Sequence, residues 1–330
     1  MSDSAGGLGE FELIGRYFSR TDADRAAQAG VIRGIGDDAA VLRSPDGADL
    51  VATVDTIVAG RHFLQDTDAR AIGHRALAVN LSDLAAMGAA PAWATLALTL
   101  PAADPAWLER FAAGLHALAD RHGVVLVGGD TTRGPLTVSV QLLGHVPRGA
   151  ALRRDGAHAG DLLAVTGTLG DAGAGLALAR SGATAADRSS MLELIRRFEY
   201  PEPRVEFGTA ARGIASAAMD LSDGLVGDLP KFVAANALGA HVEVERLPLS
   251  AALRAYAAPE QARDWALGAG DDYELLLAVS GERHQELSLQ AARLGLTLTV
   301  IGNLHRGNDV TWSWFGSEFQ PTVRGHDHFG

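Results

Sequence analysis

Short apolar runs of strand length alternate with longer stretches of helical spacing along nearly the whole chain, which predicts mixed α and β structure. Glu10 to Phe18 reads as a short N-terminal helix, and Leu50 to Val54 as a strand ending at Asp55. The spacing over Ala69 to Met87 predicts a helix, followed by a strand in AWATLALTL (Ala92 to Leu100). The next helix, Asp104 to Arg121, opens on Asp-Pro with Asp104 as its cap. Val124 to Val127 is a buried-type strand running at once into GGDTTRG, and Leu136 to Val146 is another strand. The polar, glycine-rich stretch PRGAALRRDGAHAG (147–160) marks a domain boundary and divides the chain into 1–148 and 149–330. Beyond it come the strand LLAVTG, the segment GTLGDAGAG leading into a helix, a helix from Val205, and AAMDLSDGLVGDL. The strand ELLLAVS (Glu274 to Ser280), a helix over Glu282 to Leu294, a strand over Leu296 to Ile301 and an irregular tail complete the reading.

Composition narrows the class. A chain of 330 residues has room for two domains, and 47% hydrophobic with 21% charged residues is a globular balance. The opening MSDSAGGLGEFELIG has neither a basic start nor an apolar core, so a secretory leader is not expected. No uncharged apolar run reaches the ~18 residues of a membrane span. A cytoplasmic protein is the expectation. Cysteine is absent, which excludes disulfides, thiolate metal sites and cysteine nucleophiles. The formal charge of −12 argues against a nucleic-acid or anionic-membrane partner. Lys231 is the only lysine, so neither a G-x-x-x-x-G-K-[ST] loop nor a Schiff-base lysine is in evidence. Phosphates would have to be handled by arginine, backbone amides and metal ions.

The anomaly lies in the aspartates. In GIGDDAAVL (Gly34 to Leu42) the pair Asp37–Asp38 stands between glycines and an apolar strand, and the same context recurs at Asp55, Asp83, Asp130, Asp220, Asp223 and Asp271–Asp272. A helix cap or turn is the simpler reading for any single one, and Asp104, Asp161 and Asp187 are read that way. The case for the others is their number. Asn80 and Asp83 are three apart on a predicted helix and face the same way, and Asp220 and Asp223 share that spacing. Two carboxylates ~5 Å apart repel by ~3 kcal/mol at an effective dielectric near 20. A converging set therefore needs cations, and hard oxygen ligands without cysteine select Mg²⁺, Mn²⁺ or Ca²⁺. The EF-hand pattern is absent, which leaves Mg²⁺ as the best fit.

Glycine and arginine complete a phosphate-binding pattern. GGDTTRG sets flexible backbone amides beside Asp130, and Arg153 and Arg154 lie in the glycine-rich linker, suited to neutralising a polyphosphate. GTLGDAGAG by itself reads as a tight strand-to-helix turn, and HDH at 326–328 as a solvated tail. VNLSDLAAMG (79–88) and MDLSDGLVGD (219–228) share an L-S-D core, too short an echo to establish a duplication.

Taken in order, GIGDDAAVL, VDTIVAGRHF, ALAVNLSDLAAMGA, LVGGDTTRGP, MDLSDGL and GDDYELL resemble the thiamine-monophosphate kinase family, within the aminoimidazole ribonucleotide synthetase-like superfamily, over about residues 11–329. The resemblance implies an α+β, two-domain fold with an N-terminal sheet pairing in a homodimer and a C-terminal α/β sandwich domain. It implies transfer of the γ-phosphoryl group of ATP to thiamine monophosphate, with the nucleotide in a cleft between the domains. Matched motif by motif, Asp38, Thr53, Val54, Asp55, Asp83, Asp130, Asp220 and Asp223 fall at magnesium-ligand positions. Gly129, Asp130, Arg154 and Ser222 fall at ATP contacts, and His62, Asp271 and His326 at contacts to the thiamine substrate. Three positions depart from the family pattern. Thr53-Val54 replaces Ser/Thr-Thr, so that Val54 can ligate only through its carbonyl. Asp271 stands where Glu is frequent, and His326 where Tyr or Trp is expected.

The acceptor in such a reaction is a phosphate monoester, mostly dianionic near pH 7 because its second pKa is ~6. It needs no general base, and none is nominated. It needs charge cancellation and in-line placement, which several Mg²⁺ ions supply. Whether K⁺ joins them is left open. Two other readings stand beside this one: another ATP-using enzyme of the superfamily, or a non-catalytic Mg-nucleotide-binding scaffold. Selenophosphate synthetase and the hydrogenase-maturation relative would both normally carry a cysteine or selenocysteine, and this chain has no cysteine.

Overall fold

The computed structural model describes residues 10–19, 23–181 and 189–326; Asp187, Asp327 and His328 lie outside them. The chain forms two compact units, one of residues 1–81 with 91–148, the other of residues 82–90 with 149–330. Among the described residues no helix is long and apolar enough to cross a membrane.

In the first unit, strands β1 (Val31–Arg33) and β2 (Val41–Leu42) pair antiparallel. Strands β3 (Ala48–Val58), β4 (Ala90–Leu100), β5 (Val125–Arg133) and β6 (Thr137–Pro147) form a second sheet in the order β3-β6-β4-β5. Alternation sorts its two faces. Val138, Val140 and Leu142 of β6, with Ala94, Leu96 and Leu98 of β4, are buried, while Gln141 and Ala97 between them are exposed. The buried face meets the helices Ala69–Ala86 and Pro105–Arg121: Leu77, Leu115 and Ala119 enclose a small void together with Ala94, Leu96 and Val140. Helix Pro105–Arg121 begins as expected, Asp104 Oδ1 accepting a hydrogen bond from the Ala106 amide at 2.9 Å. Helix Ala69–Ala86 is buried on every side from Ala71 to Ser82, so its apolar content reports a core helix rather than an amphipathic one.

On the open face, β1 and β2 cover one end of the sheet. Val31, Ala40 and Leu42 pack with Trp93, Val127 and Leu143, and Trp93 Nε1 donates to the Ala29 carbonyl at 2.8 Å. This packing sets the GIGDD loop, which joins β1 to β2.

Several sequence expectations need correction here. β3 does not stop at Asp55 but runs to Val58, each residue paired with β6. β5 continues through GGDTTR as a strand paired with β4, so the backbone amides expected to be flexible are held in the sheet. In both strands pairing from distant chain segments overrides local glycine and turn propensity. The N-terminal helix forms over the expected span, α-helical at Glu10–Leu13 and continuing as a π-turn over Ile14–Phe18, with Tyr17 and Phe18 buried.

The second unit holds a seven-stranded sheet. Its strands are β7 (Leu162–Thr166), β8 (Ala217–Leu221), β9 (Leu238–Glu243), β10 (Glu274–Val279), β11 (Leu298–Arg306), β12 (Val310–Trp314) and β13 (Ser317–Phe319), in the order β13-β12-β9-β11-β7-β10-β8. Pairing is antiparallel except between β12 and β9. The tail expected to be irregular thus supplies two strands, carried by the aromatic positions Trp312, Trp314 and Phe319. Leu163, Met219, Leu229, Phe232, Val242, Leu276 and Ile301 lie in one buried cluster beneath the sheet, and Leu178, Leu194 and Leu253 in another. Asp220 sits on β8 and Asp223 in the turn after it, so their spacing is not that of a shared helix face.

Candidate phosphate and metal site

In the first unit the Asp37–Asp38 pair divides. Asp37 Oδ2 accepts from Arg33 Nε at 2.7 Å and its Oδ1 from the Asp38 amide at 3.0 Å. The Arg33 hydrogen bond, then the Asp38 amide, hold its carboxyl below the usual range. Asp37 is thereby committed to the turn. Asp38 is exposed and engages no basic side chain among the described residues. Its loop faces β5 across a cavity of about 820 Å³ lined by Asp37, Asp38, Thr95, Gly128, Gly129 and Asp130, among others. The GIGDD and GGDTT motifs, far apart in sequence, are therefore brought together. Gly129 is obligatory: its φ is +149°, and a Cβ there would lie 1.9 Å from the Leu96 carbonyl oxygen.

Thr53, Val54 and Asp55 lie elsewhere. They occupy β3, at the opposite edge of the sheet from β5, three strand spacings or about 14 Å away at the ordinary interstrand distance. Thr53 and Asp55 are half-buried opposite Leu142 and Val140, and Val54, 62% exposed, points to the other face. His62 follows β3 in a turn, where its Nδ1 accepts from the Val58 amide at 3.0 Å, leaving Nε2 to carry the ring proton.

In the second unit four of the candidate residues converge. Strand β8 ends in the turn Ser222–Asp223–Gly224, ahead of helix Leu225–Asn236. The Ser222 carbonyl accepts from the Asp271 amide at 2.8 Å, and the Asp223 carbonyl from the His326 amide at 2.9 Å. Ser222, Asp223, Asp271 and His326 thus form one cluster. Asp220, on β8, accepts from Ser82 Oγ at 2.7 Å through Oδ2. Asp83 follows one residue later on the same helix. Arg154 is not in this cluster. It is exposed, and its carbonyl accepts from Asn236 Nδ2 at 2.8 Å, at the far end of helix Leu225–Asn236, about 17 Å along the axis from the turn. Arg153 pairs with its neighbour Asp155 at 2.8 Å.

Backbone strain concentrates at GDDYE. Asp271 and Tyr273 both adopt positive φ, +62° and +51°, unusual for residues with a Cβ. Tyr273 donates its O–H to Asp271 Oδ1 at 3.1 Å. Between them Asp272 accepts from the Gly170 amide at 2.7 Å and the Ala172 amide at 3.3 Å, at the N-terminus of helix Asp171–Arg180. Although the residue is only half-buried, its carboxyl is enclosed, and burial pushes it up to about 8 against these amide bonds. Glu274 is fully buried. Burial would raise its carboxyl, but Arg204 and Arg197 outweigh that and hold it low, with Thr166 Oγ1 donating at 2.7 Å. This framework was missed in the sequence. The only local signal is the second Asp of GDDYE, whose partners lie about 100 residues upstream.

Within neither unit, among the described residues, do three Asp, Glu or His side chains stand together as a ready-made metal cage. Instead, Asp38 and Asp130 line one cavity in the first unit, and Asp223 and Asp271 lie about one turn in the second.

The two units correspond to two family models, AIR synthase related protein N-terminal domain over residues 36–146 and C-terminal domain over residues 158–314. The chain is 45% identical to the thiamine-monophosphate kinase of Salmonella typhimurium over 331 residues, spanning 97% of this chain and 98% of that one. Among solved structures it is similar to thiamine-monophosphate kinase from Stenotrophomonas maltophilia, with TM-score 0.83 and 46% identity over 90% of this chain and 96% of that one. It is also similar to AaThiL complexed with AMPPCP and TMP, with TM-score 0.77 and 32% identity over 98% and 97% of the two chains. With both units matched and relatives this similar over nearly their full length, the chain belongs to the thiamine-monophosphate kinase family of AIR synthase related proteins.

Proposed function

We infer that the chain is a thiamine-monophosphate kinase, transferring the γ-phosphoryl group of ATP to thiamine monophosphate to give thiamine diphosphate and ADP. The observation that carries this is the similarity, over 98% of the chain, to a structure holding both an ATP analogue and TMP. The residue chemistry agrees: neither a cysteine nucleophile nor a P-loop lysine is present, and candidate carboxylates are offered from turns at Asp38 and Asp223 and from strands at Asp55 and Asp130.

The donor set fits a hard divalent cation. Among the described residues, Asp38 and Asp130 face one cavity without a basic partner, and Asn80 Oδ1 is buried with no hydrogen-bond partner, an acceptor suited to a metal-bound water. The residues proposed to hold Mg²⁺ are Asp38, Thr53, Val54 (by its carbonyl), Asp55 and Asp130 in the first unit, and Asp83, Asp220 and Asp223 in the second. Bound Mg²⁺ would neutralise the phosphates and align donor and acceptor oxygens. The chain's own part is positional. Gly129 lets the backbone beside Asp130 approach a phosphate closely, and the Ser222 hydroxyl and the Arg154 guanidinium are donors for the nucleotide. His62, Asp271 and His326 are proposed for the thiamine substrate, with Tyr273 orienting the Asp271 carboxylate.

A homodimer is part of this proposal. Leu50 and Val54 on the edge strand β3 are 54% and 62% exposed, an apolar stretch suited to burial by a second copy. Pairing along β3 would put Thr53, Val54 and Asp55 at the boundary between copies. The functional test is ADP release with Mg-ATP: it should require thiamine monophosphate, and equal turnover without it would reject the kinase reading.

A further inference from the structure

Lys231 is the only lysine in the chain, against 27 arginines (28 basic residues less one), and its position is informative. Its ammonium lies 2.5 Å from Asp223 Oδ2 and 2.9 Å from Asp228 Oδ1. The two acceptors differ in kind. Asp228 is buried in the first turn of helix Leu225–Asn236, and its Oδ2 accepts from the Ser222 amide at 3.1 Å and the Asp223 amide at 2.9 Å. It is fixed by the turn it caps. Asp223 is more open, its side chain 27% exposed, and its carboxylate is one of those proposed for metal. Lys231 is 47% exposed and stands three residues beyond Asp228, so its stem can swing into solvent without disturbing the core.

We propose that Lys231 is a built-in counter-cation for Asp223 that competes with the divalent metal: it neutralises the carboxylate when metal is absent and is displaced from it, while remaining tethered to Asp228, when metal enters. This rests on the reading of Asp223 as a metal ligand. The physical case is one of charge and of residue type. Asp223 and Asp228 both reach the same Lys231 ammonium, so their carboxylates stand close together and repel unless a cation lies between them. An arginine would clamp a carboxylate through two parallel hydrogen bonds, whereas lysine offers one compact charge on a flexible stem, which a divalent ion can replace. The chain uses arginine at every other basic position and lysine where the cation must yield.

The test is titration with Mn²⁺ alone, without nucleotide, following the free ion by electron paramagnetic resonance, on wild type, Lys231→Gln, Lys231→Arg and Asp223→Asn, with melting in chelator as a second readout. Lys231→Gln should bind Mn²⁺ roughly three- to tenfold more tightly, the scale of a partly exposed ion pair, and should melt lower than wild type without metal. Lys231→Arg should bind more weakly than wild type. Unchanged or weakened Mn²⁺ affinity in Lys231→Gln would overturn the proposal, since the lysine would then be neutral toward the site or support it. The control separates the two layers: Asp223→Asn with wild-type Mn²⁺ binding would refute the metal role of Asp223 and the competition with it. Loss of binding in Asp223→Asn alongside an unaffected Lys231→Gln would leave the metal role intact and reject only the competition.

Discussion

Ser82 Oγ donates a hydrogen bond to Asp220 Oδ2 at 2.7 Å, so the two L-S-D segments of the chain meet in space. They are not structural repeats. One L-S-D lies inside a helix, and the other crosses from strand β8 into a turn. What they share is a polar contact in apolar surroundings, with Ser82 wholly buried. Ser82→Ala would release one carboxylate oxygen of a proposed metal ligand. Loss of a hydrogen bond to a charged group should lower kcat/KM about tenfold and raise the Mg²⁺ concentration needed for half-maximal rate. Steady-state rates across a Mg²⁺ series check this, and an unchanged Mg²⁺ dependence would remove Ser82 from the site.

Tyr273 holds Asp271 through its O–H, in a segment where both residues carry positive φ. Tyr273→Phe keeps the packing and removes the donor. The KM for thiamine monophosphate should rise roughly three- to tenfold, a fraction of the value of a hydrogen bond to a charged group because the tyrosine acts only through Asp271, with kcat less affected. A fall in kcat with unchanged KM would place Asp271 away from substrate binding.

Gly129 admits no side chain. Gly129→Ala would drive a Cβ into the Leu96 carbonyl at a φ few L-residues adopt, at a cost of about 3 kcal/mol or more. Denaturant unfolding measures it, and wild-type stability in this variant would mean that β5 relaxes away from β4.

Glu274 carries a pH signature. Its folded pKa lies below the ordinary 4.5, so its contribution to stability is complete above about pH 5 and is lost as pH falls through the folded value. Glu274→Gln would leave Arg197 and Arg204 beside an uncharged partner, destabilising the protein by about 3–5 kcal/mol at pH 7. The gap between the two proteins should close in acid. A gap that persists unchanged at pH 3 would show that packing, not charge, is at stake.

Much of this molecule was legible in its sequence, and the limits have physical causes. The family and fold class followed from six motifs, each a local run. Convergence was not legible. That Asp38 and Asp130 share a cavity depends on β1 and β2 folding over Trp93, and that Asp271 and His326 flank Ser222–Asp223 depends on backbone hydrogen bonds across 50 to 100 residues. The amides of GGDTTRG, expected to be flexible, are held in a strand, because glycine and threonine carry no sign of the neighbouring strand that orders them. Glu274 passed unnoticed because both of its arginines lie about 70 residues upstream.

The most direct measurement is thiamine diphosphate formed per ADP released, from Mg-ATP and thiamine monophosphate, for wild type and Asp130→Asn at saturating Mg²⁺. Wild type should give one product per ADP. Asp130→Asn, whose site faces solvent and is not needed for the core, should lose at least about a hundredfold in rate while melting like wild type. ADP without thiamine diphosphate in the wild type, or near-normal product formation by Asp130→Asn, would contradict the account.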